Sequence, residues 1–396
     1  MDIRRLEEAD LSGKTALVRV DFNLPRDDSG NVTDRTRLKA AVPTIQYLRE
    51  HGAAVVLLSH FGRPKNGPDQ ENSLGFVPPL LAEELETPVR FLTAPNINVR
   101  DTLEPGDVLL MENTRFLDGE TDNSDELAKD LAAFGDLFVM DAFSAAHRAH
   151  ASSYGVAKHL PTFAGLAMER ELDHLAQALE HPKKPVMAIV GGAKVSTKID
   201  LLENLVQRLD RLAIGGGMAN TFLLAKGLDV GKSLAEPDLV NKAKSILSAA
   251  VKANCEIILP TDVVTATEFV AGADTQVRAR DAVKADEMIL DVGPGTVEEI
   301  MDGMDKSETL IWNGPLGAFE TPPFDTSTIE CAKYAAKLAR KGAIVAVAGG
   351  GDTVAALAAA NAVDDFTFVS TAGGAFLEWM EGKALPGVEI VTRGSS

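Results

Sequence analysis

Two cysteines and 5% aromatic residues in 396 positions leave this chain no disulfide framework and little large aromatic surface. Ala and Val carry much of the core instead. Cys331 falls in helical sequence and Cys255 borders a strand-like run, so both read as packed or surface residues rather than nucleophiles. No apolar stretch approaches the roughly 18 residues that a membrane helix needs. The opening Met1-Asp2-Ile3-Arg4-Arg5-Leu6-Glu7-Glu8 lacks the apolar centre of a secretion signal. A reducing cytoplasm is the expected compartment. Basic side chains are also in short supply, 39 Lys and Arg against 58 Asp and Glu, for a net charge of −19. That balance argues against nucleic acid or an anionic membrane as the main partner.

Several catalytic signatures are missing. Gly231-Lys232-Ser233 and Gly13-Lys14-Thr15 end like phosphate-binding P-loops, but Lys226 and Glu8 stand where the first Gly is required. No strict G-x-G-x-x-G occurs, which disfavours a nicotinamide-dependent dehydrogenase. G-x-S-x-G, H-E-x-x-H and the protein-kinase H-R-D set are absent as well. His147 and His150 are three apart, yet no cysteine or third ligand accompanies them as a metal pair would require. No repeat of 20–50 residues and no low-complexity tract interrupts the chain.

What the chain does have is alternation. Short apolar runs at 15–20, 54–59, 108–112 and 137–141 in the first half, and at 186–190, 211–214, 257–260, 288–292, 309–312, 344–348 and 366–370 in the second, are separated by amphipathic stretches such as 37–51, 124–134, 198–209, 237–254 and 326–341. Continuous apolar strands alternating with helices predict parallel sheets covered on both faces, here two doubly wound α/β domains. The long helical stretch after Thr162-Phe163-Ala164-Gly165, closed by His181-Pro182-Lys183-Lys184-Pro185, places the boundary between them and supplies a candidate hinge helix. Arg393-Gly394-Ser395-Ser396 reads as a frayed end.

The glycines show where a ligand goes. Gly191-Gly192-Ala193-Lys194, Gly215-Gly216-Gly217, Gly349-Gly350-Gly351-Asp352-Thr353 and Ala372-Gly373-Gly374 each follow an apolar run. Strand, glycines, helix is the arrangement in which backbone N–H groups meet a phosphate. Lys194 and Lys198, four apart, are expected on one face of a helix beginning there. Asp352 reads either as a carboxylate reaching a Mg²⁺ ion that sits between it and a phosphate, or as a helix cap. Glu320, in the loop opened by Trp312-Asn313-Gly314-Pro315, is a candidate for ribose hydroxyls.

In the first half, basic residues come just after strands. Arg19-Val20-Asp21-Phe22-Asn23, Ser59-His60-Phe61-Gly62-Arg63-Pro64, Glu112-Asn113-Thr114-Arg115-Phe116 and Asp141-Ala142-Phe143-Ser144-Ala145-Ala146-His147-Arg148 each close an apolar run. Ligands of open α/β sheets bind at the carboxyl ends of strands. Arg37, His60, Arg63, Arg115 and Arg148 therefore form a candidate anion site, because guanidinium binds carboxylate and phosphate bidentately.

Those blocks, in that order and over almost the whole chain, resemble the phosphoglycerate kinases. The resemblance implies a two-domain α/β fold of two Rossmann-like sheets joined by a hinge helix. It divides the chain into a phosphoglycerate-binding domain at 1–165, a Mg-nucleotide domain at 166–380 and a tail at 381–396 returning to the first domain. It implies reversible phosphoryl transfer between 1,3-bisphosphoglycerate and ADP, giving 3-phosphoglycerate and ATP, by direct in-line transfer on domain closure in a cytoplasmic monomer. Asp21, Asn23, Arg37, His60, Arg63, Arg115 and Arg148 would then bind the acid. Gly192, Lys194, Lys198, Gly216, Gly217, Asn313, Pro315, Glu320, Gly349, Gly350, Gly351, Asp352 and Thr353 would bind nucleotide and its Mg²⁺, with Asp352 nearest the metal. Arg37, Lys194 and the Gly373-Gly374 helix start would act on the transferring group. A non-catalytic scaffold on the same fold would not need Arg37, Lys194 and Asp352 together. Ala372 and Thr114 depart from the family pattern, which has Gly and an apolar residue there; Ala372 would bear on the backbone donors at that helix start.

Overall fold

The computed structural model describes residues 1–65 and 67–393. The backbone divides into two compact units. One holds Met1–Asp173 and the segment from Ala384 onward, the other His174–Lys383.

In the first unit, β1 (Thr15–Arg19), β2 (Ala54–Leu58), β3 (Val89–Leu92), β4 (Val108–Met111), β5 (Leu137–Met140) and β6 (Thr162–Ala164) form one six-stranded sheet in the order β3-β4-β2-β1-β5-β6. All pairings are parallel. Every residue of β1, β2, β4 and β5 is buried, as their apolar composition requires of strands covered on both faces. The helices α1 (Thr36–Glu50), α2 (Val77–Leu85) and α3 (Asp125–Ala132) belong to this unit. The strands β3 and β6 lie at the sheet's edges, and half-buried Val-Arg-Phe-Leu in β3 lacks the continuous apolar signal that marks the inner strands.

The helix α4 (Leu166–Leu175) crosses from one unit to the other between Asp173 and His174, and a π-turn at Ala176–Glu180 follows it. A buried carboxylate holds its start, since Asp141 Oδ1 accepts from the N–H groups of Ala167 at 2.9 Å and Met168 at 3.2 Å. Burial pushes Asp141 up to about 7.

The second unit begins with β7 (Val186–Val190), α5 (Ile199–Leu205), β8 (Arg211–Ile214), α6 (Gly216–Ala225), α7 (Val240–Lys252) and β9 (Glu256–Ile258). It continues through β10 (Asp262–Ala266), β11 (Gln276–Ala279), β12 (Met288–Val292), α8 (Pro294–Asp305), β13 (Thr309–Asn313), α9 (Thr326–Arg340), β14 (Val345–Gly349), α10 (Gly351–Ala359), β15 (Phe368–Ser370) and α11 (Gly373–Met380). A six-stranded parallel sheet runs β15-β14-β13-β7-β8-β9. The run at 288–292 is not part of it. As β12 it joins β10 and β11 in a separate antiparallel sheet, ordered β11-β10-β12. Sequence periodicity misses this sheet because β11 is mostly exposed and shows no alternation.

The helix α12 (Pro386–Glu389) and the residues after it pack in the first unit, where Gly387 N–H donates to Ala146 O at 2.8 Å and Arg4 N–H to Val391 O at 2.8 Å. Arg393, expected to fray, is held instead: its N–H donates to Asp2 O at 3.0 Å and its guanidinium pairs with Glu8. The rest of that expected tail, 394–396, lies outside the described residues. Cys255 and Cys331 are free and buried, and burial pushes both thiols up, Cys255 to about 11, so neither is a ready nucleophile.

Candidate functional site

Chemistry-bearing residues gather at the carboxyl ends of strands in each unit. In the first, the ends of the adjacent β4, β2, β1 and β5 lie along one edge of the sheet, because every strand runs the same way. Asn113, buried just past β4, knits two of these ends together. Its Oδ1 accepts from Phe61 N at 3.1 Å and Arg115 N at 3.1 Å, while its Nδ2 donates to Phe61 O at 2.7 Å and Asn72 O at 2.8 Å. Arg115 adds a bond from Nη1 to Gly62 O. Asn23 Oδ1 accepts from Gly62 N at 3.0 Å and ties in the end of β1.

Arg37 stands in the first turn of α1, where its Nη1 lies 3.1 Å from Asp21 Oδ2 and donates to Asn23 O at 3.1 Å. Ser144 Oγ donates to the same Asp21 carboxylate at 2.5 Å. The helix is thereby drawn onto the sheet edge. Arg148 Nε donates to His147 Nε2 at 2.9 Å, which occupies the lone pair a metal would need.

These cations are close enough to repel one another. Burial first, then Arg19, Arg115, Arg148 and His150, hold His60 well below the ordinary histidine value. Burial first, then the same arginines and His147, lower His150 to about 4. Arg115 is itself lowered by burial, Arg148, Arg19 and Arg63. Arg63 is exposed and reaches the group from its rim. An edge this basic stands out on a strongly acidic chain, and an anion placed there would relieve the repulsion. Two members were not among the candidate anion-site residues named from the sequence. Arg19, only 1% exposed, donates from Nη2 to His60 Nδ1 at 2.9 Å. His150 was weighed only as a metal ligand.

In the second unit, the loops after β7, β8, β13 and β14 pack backbone on backbone. Gly191 N–H donates to Asn313 O at 2.9 Å, Gly216 N–H to Leu316 O at 2.7 Å and Met218 N–H to Gly192 O at 3.0 Å. A Cβ on Gly191 would fall well inside contact with the Pro315 carbonyl, and one on Gly314, at φ +99°, inside contact with Gly191 O. Gly217 lies in the first turn of α6, and Gly349 ends β14. Thr353 Oγ1, buried, accepts from Gly314 N–H at 2.7 Å, and Asn313 Nδ2 donates to Gly349 O at 2.7 Å.

The helical spacing argument for the two lysines does not hold. Lys194 is extended and exposed, a 3₁₀ turn at Val195–Thr197 follows it, and α5 starts only after Lys198. The chain turns too tightly there for both side chains to share a face. Lys198 Nζ instead donates to Gly191 O at 2.6 Å, Asn313 Oδ1 at 2.6 Å and Asn313 O at 3.3 Å, using all the protons of an ammonium. Burial lowers it to about 8, against an upward pull from Asp352. Asp352 is no helix cap: the cap position of α10 is Gly350, at φ 101°. An exposed carboxylate in the first turn of a helix, near a buried ammonium, has one or two oxygens to offer a cation, which suits a phosphate-bound Mg²⁺. Glu320 lies exposed in its turn.

Gly373 and Gly374 open α11, with Gly373 placed so that a Cβ would come 3.6 Å from Gly351 N. Ala372 adopts φ −95°, which any residue takes, and its N–H donates to Ser370 Oγ at 3.2 Å. Its methyl therefore does not strain the helix start.

A family model described as phosphoglycerate kinase matches residues 6–383. Among curated proteins, the phosphoglycerate kinase of Maricaulis maris is 59% identical over 394 residues, covering 98% of both chains. That of Caulobacter vibrioides is 59% identical over 392 residues, covering 98% of this chain and 99% of its own. Among solved structures, phosphoglycerate kinase from Coxiella burnetii superposes with a TM-score of 0.92 at 43% identity, covering 98% of this chain and 99% of that one. The enzyme from Pyrococcus horikoshii OT3 gives 0.81 at 30% identity, covering 98% of each.

Proposed function

The chain belongs to the phosphoglycerate kinase family, a family of phosphotransferases with a carboxyl group as acceptor, and on that premise we propose how its residues divide the work. The family reaction is the glycolytic exchange of a phosphoryl group between 1,3-bisphosphoglycerate and ADP, giving 3-phosphoglycerate and ATP. The acid is held by the basic edge of the first unit, through Arg37, His60, Arg63, Arg115 and Arg148, with Asp21 and Asn23 aligning Arg37 and the Gly62 loop. The observation that carries this reading is the gathering of Arg19, Arg115 and Arg148 about His60 and His150, where burial first and then these arginines lower both histidines.

The nucleotide lies on the glycine loops of the second unit. Gly192, Gly216, Gly217, Gly349, Gly350 and Gly351 let the backbone approach its phosphates, and Pro315 and Glu320 lie toward its sugar. Asn313, Thr353 and Lys198 hold those loops in register. Asp352 would hold the Mg²⁺ that accompanies the nucleotide, and that ion would supply positive charge against the phosphate oxygens. In the transfer, an oxygen of the ADP β-phosphate attacks phosphorus as the bond to the C1 carboxyl oxygen breaks. The protein's part is to align the groups and stabilise the charge on the equatorial oxygens. Arg37 keeps guanidinium N–H groups beyond Nη1 for that group, Lys194 is unhindered, and the Gly373-Gly374 helix start adds backbone donors. Direct transfer requires the two ligands to meet, so a closure step precedes chemistry and excludes water. The acidic charge fits a cytoplasmic monomer that does not engage nucleic acid or membrane, and among the described residues no helix is long and apolar enough to cross a membrane.

The test is ADP production from MgATP by the purified protein, with and without 3-phosphoglycerate. ADP formed only with the acid supports the reading. Turnover that ignores the acid, or none despite MgADP binding, overturns it.

A further inference from the structure

Behind the basic edge lies a chain of buried polar groups that the transfer reaction does not itself use. Glu120 is 2% exposed, Ser152 0% and Arg19 1%. The Glu120 carboxylate accepts twice from Ser152, from its Oγ at 2.5 Å and its N–H at 3.0 Å, while Glu120 O accepts from Ala151 N–H at 2.9 Å. With its proton committed to the carboxylate, Ser152 Oγ turns a lone pair to Arg19 and accepts from Nε at 3.2 Å. Arg19 Nη1 donates to Val20 O, and Nη2 reaches His60 Nδ1 at 2.9 Å. A guanidinium has only donors, so Nδ1 of His60 must be the acceptor and carry no proton.

We propose that Glu120 and Ser152 are positioning residues for acid binding, which act through Arg19 to fix His60 as a neutral imidazole with its proton on Nε2, its one donor for phosphoglycerate. The inference rests on the placement of the acid at this edge. The charged and titratable groups around His60 work in the same direction. Arg19 from β1, Arg115 past β4, and Arg148 and His150 past β5 all disfavour an imidazolium. The carboxylates Glu120 and Asp21 bear on Arg19, where they favour its charge. A second consequence follows for the loop that carries Arg148 and His150. Glu120 grips its far end through its backbone O at Ala151 and its carboxylate at Ser152, so one residue bears on both the tautomer of His60 and the seat of Arg148.

The test is long-range ¹H–¹⁵N correlation spectroscopy on ¹⁵N-histidine-labelled protein, with His60 assigned from the spectrum of His60→Gln. The expected result is Nε2 protonated and Nδ1 bare, with no imidazolium forming as pH falls through the ordinary histidine midpoint of about 6.5. Saturating 3-phosphoglycerate should shift the His60 signals. Ser152→Ala should raise the His60 midpoint toward the ordinary value and raise KM for the acid about tenfold, the scale of one charge-assisted bond, with kcat changed less than about twofold. Glu120→Gln, which keeps the volume but removes the charge that anchors Ser152, should likewise shift the His60 signals and raise KM for the acid if Ser152→Ala does not fold. A proton on Nδ1, an imidazolium at pH 7, or variants that leave the His60 spectrum unchanged would overturn the relay while an acid-induced shift left the site itself standing. If instead the acid shifts nothing in an enzyme that turns over, the placement of the acid falls and the proposal with it.

Discussion

Replacing Thr353 by Val tests whether the nucleotide loops are held by single buried hydrogen bonds. The two side chains have nearly the same shape, and Thr353 is 1% exposed, so the change removes an acceptor without opening a cavity. What it orphans is the N–H of Gly314, which donates to Thr353 Oγ1 at 2.7 Å. A buried unsatisfied N–H costs about 1–3 kcal/mol, partly offset by the added methyl. For a unit of this size each kcal/mol lowers the melting temperature by about 2–4 °C, so a drop between about 2 and 12 °C, less what the methyl restores, is expected. Both tryptophans, Trp312 and Trp379, belong to the second unit, so fluorescence in a urea titration follows that unit alone. Trp312 also reports on the loop directly, since its Nε1 donates to Gly314 O at 2.8 Å. The KM for MgATP should rise with the instability, whereas Thr353→Ser, which keeps the acceptor, should leave KM near normal. Stability within about 0.5 kcal/mol of the parent, the usual scatter of an indifferent surface change, together with an unaltered KM would refute the argument.

Other expectations follow from the same geometry. Gly191→Ala should prevent normal assembly of the second unit, because the methyl would press on the Pro315 carbonyl; soluble protein with parental fluorescence and MgADP affinity would contradict the packing. Arg37→Ala should cut kcat by about 10²-fold or more, the loss of one preorganised donor, and Lys194→Ala should do likewise with 3-phosphoglycerate affinity nearly intact; loss of acid binding in the lysine variant would break the division of ligands between units. Sulfate, which does not titrate in this range, should bind the basic edge more tightly as pH falls from about 7 toward 5. His150 is held at about 4 in the free protein against an ordinary value near 6.5, so a bound dianion draws a proton onto it, and calorimetry in buffers of different ionisation heat should show proton uptake. The sign for stability is the opposite: in the empty site the unfolded chain takes up that proton first, so this group costs the first unit stability as pH falls from about 6.5 to 4. Affinity independent of pH with no proton uptake would remove His150 from the site.

The sequence by itself determined the two parallel sheets and most of their strands, because a strand covered on both faces has to be apolar throughout. Ala54–Leu58 and Val186–Val190 announce themselves in that way. It also determined which loops stand together, since residues that follow such strands collect at one edge. Partnership was left to the tertiary structure. The exposed strand Gln276–Ala279 carries no periodic signal, so its antiparallel sheet became visible only when Asp262–Ala266 paired with it. Spacing along the chain placed Lys194 and Lys198 together, but a 3₁₀ turn separates them, and contacts from Gly191 and Asn313 decide what Lys198 does. Arg19 looks like one more basic residue at a strand end. Only folding brings Ser152, distant in sequence, against its Nε and His60 against its Nη2, because hydrogen bonds are made across space and their partners are chosen by packing.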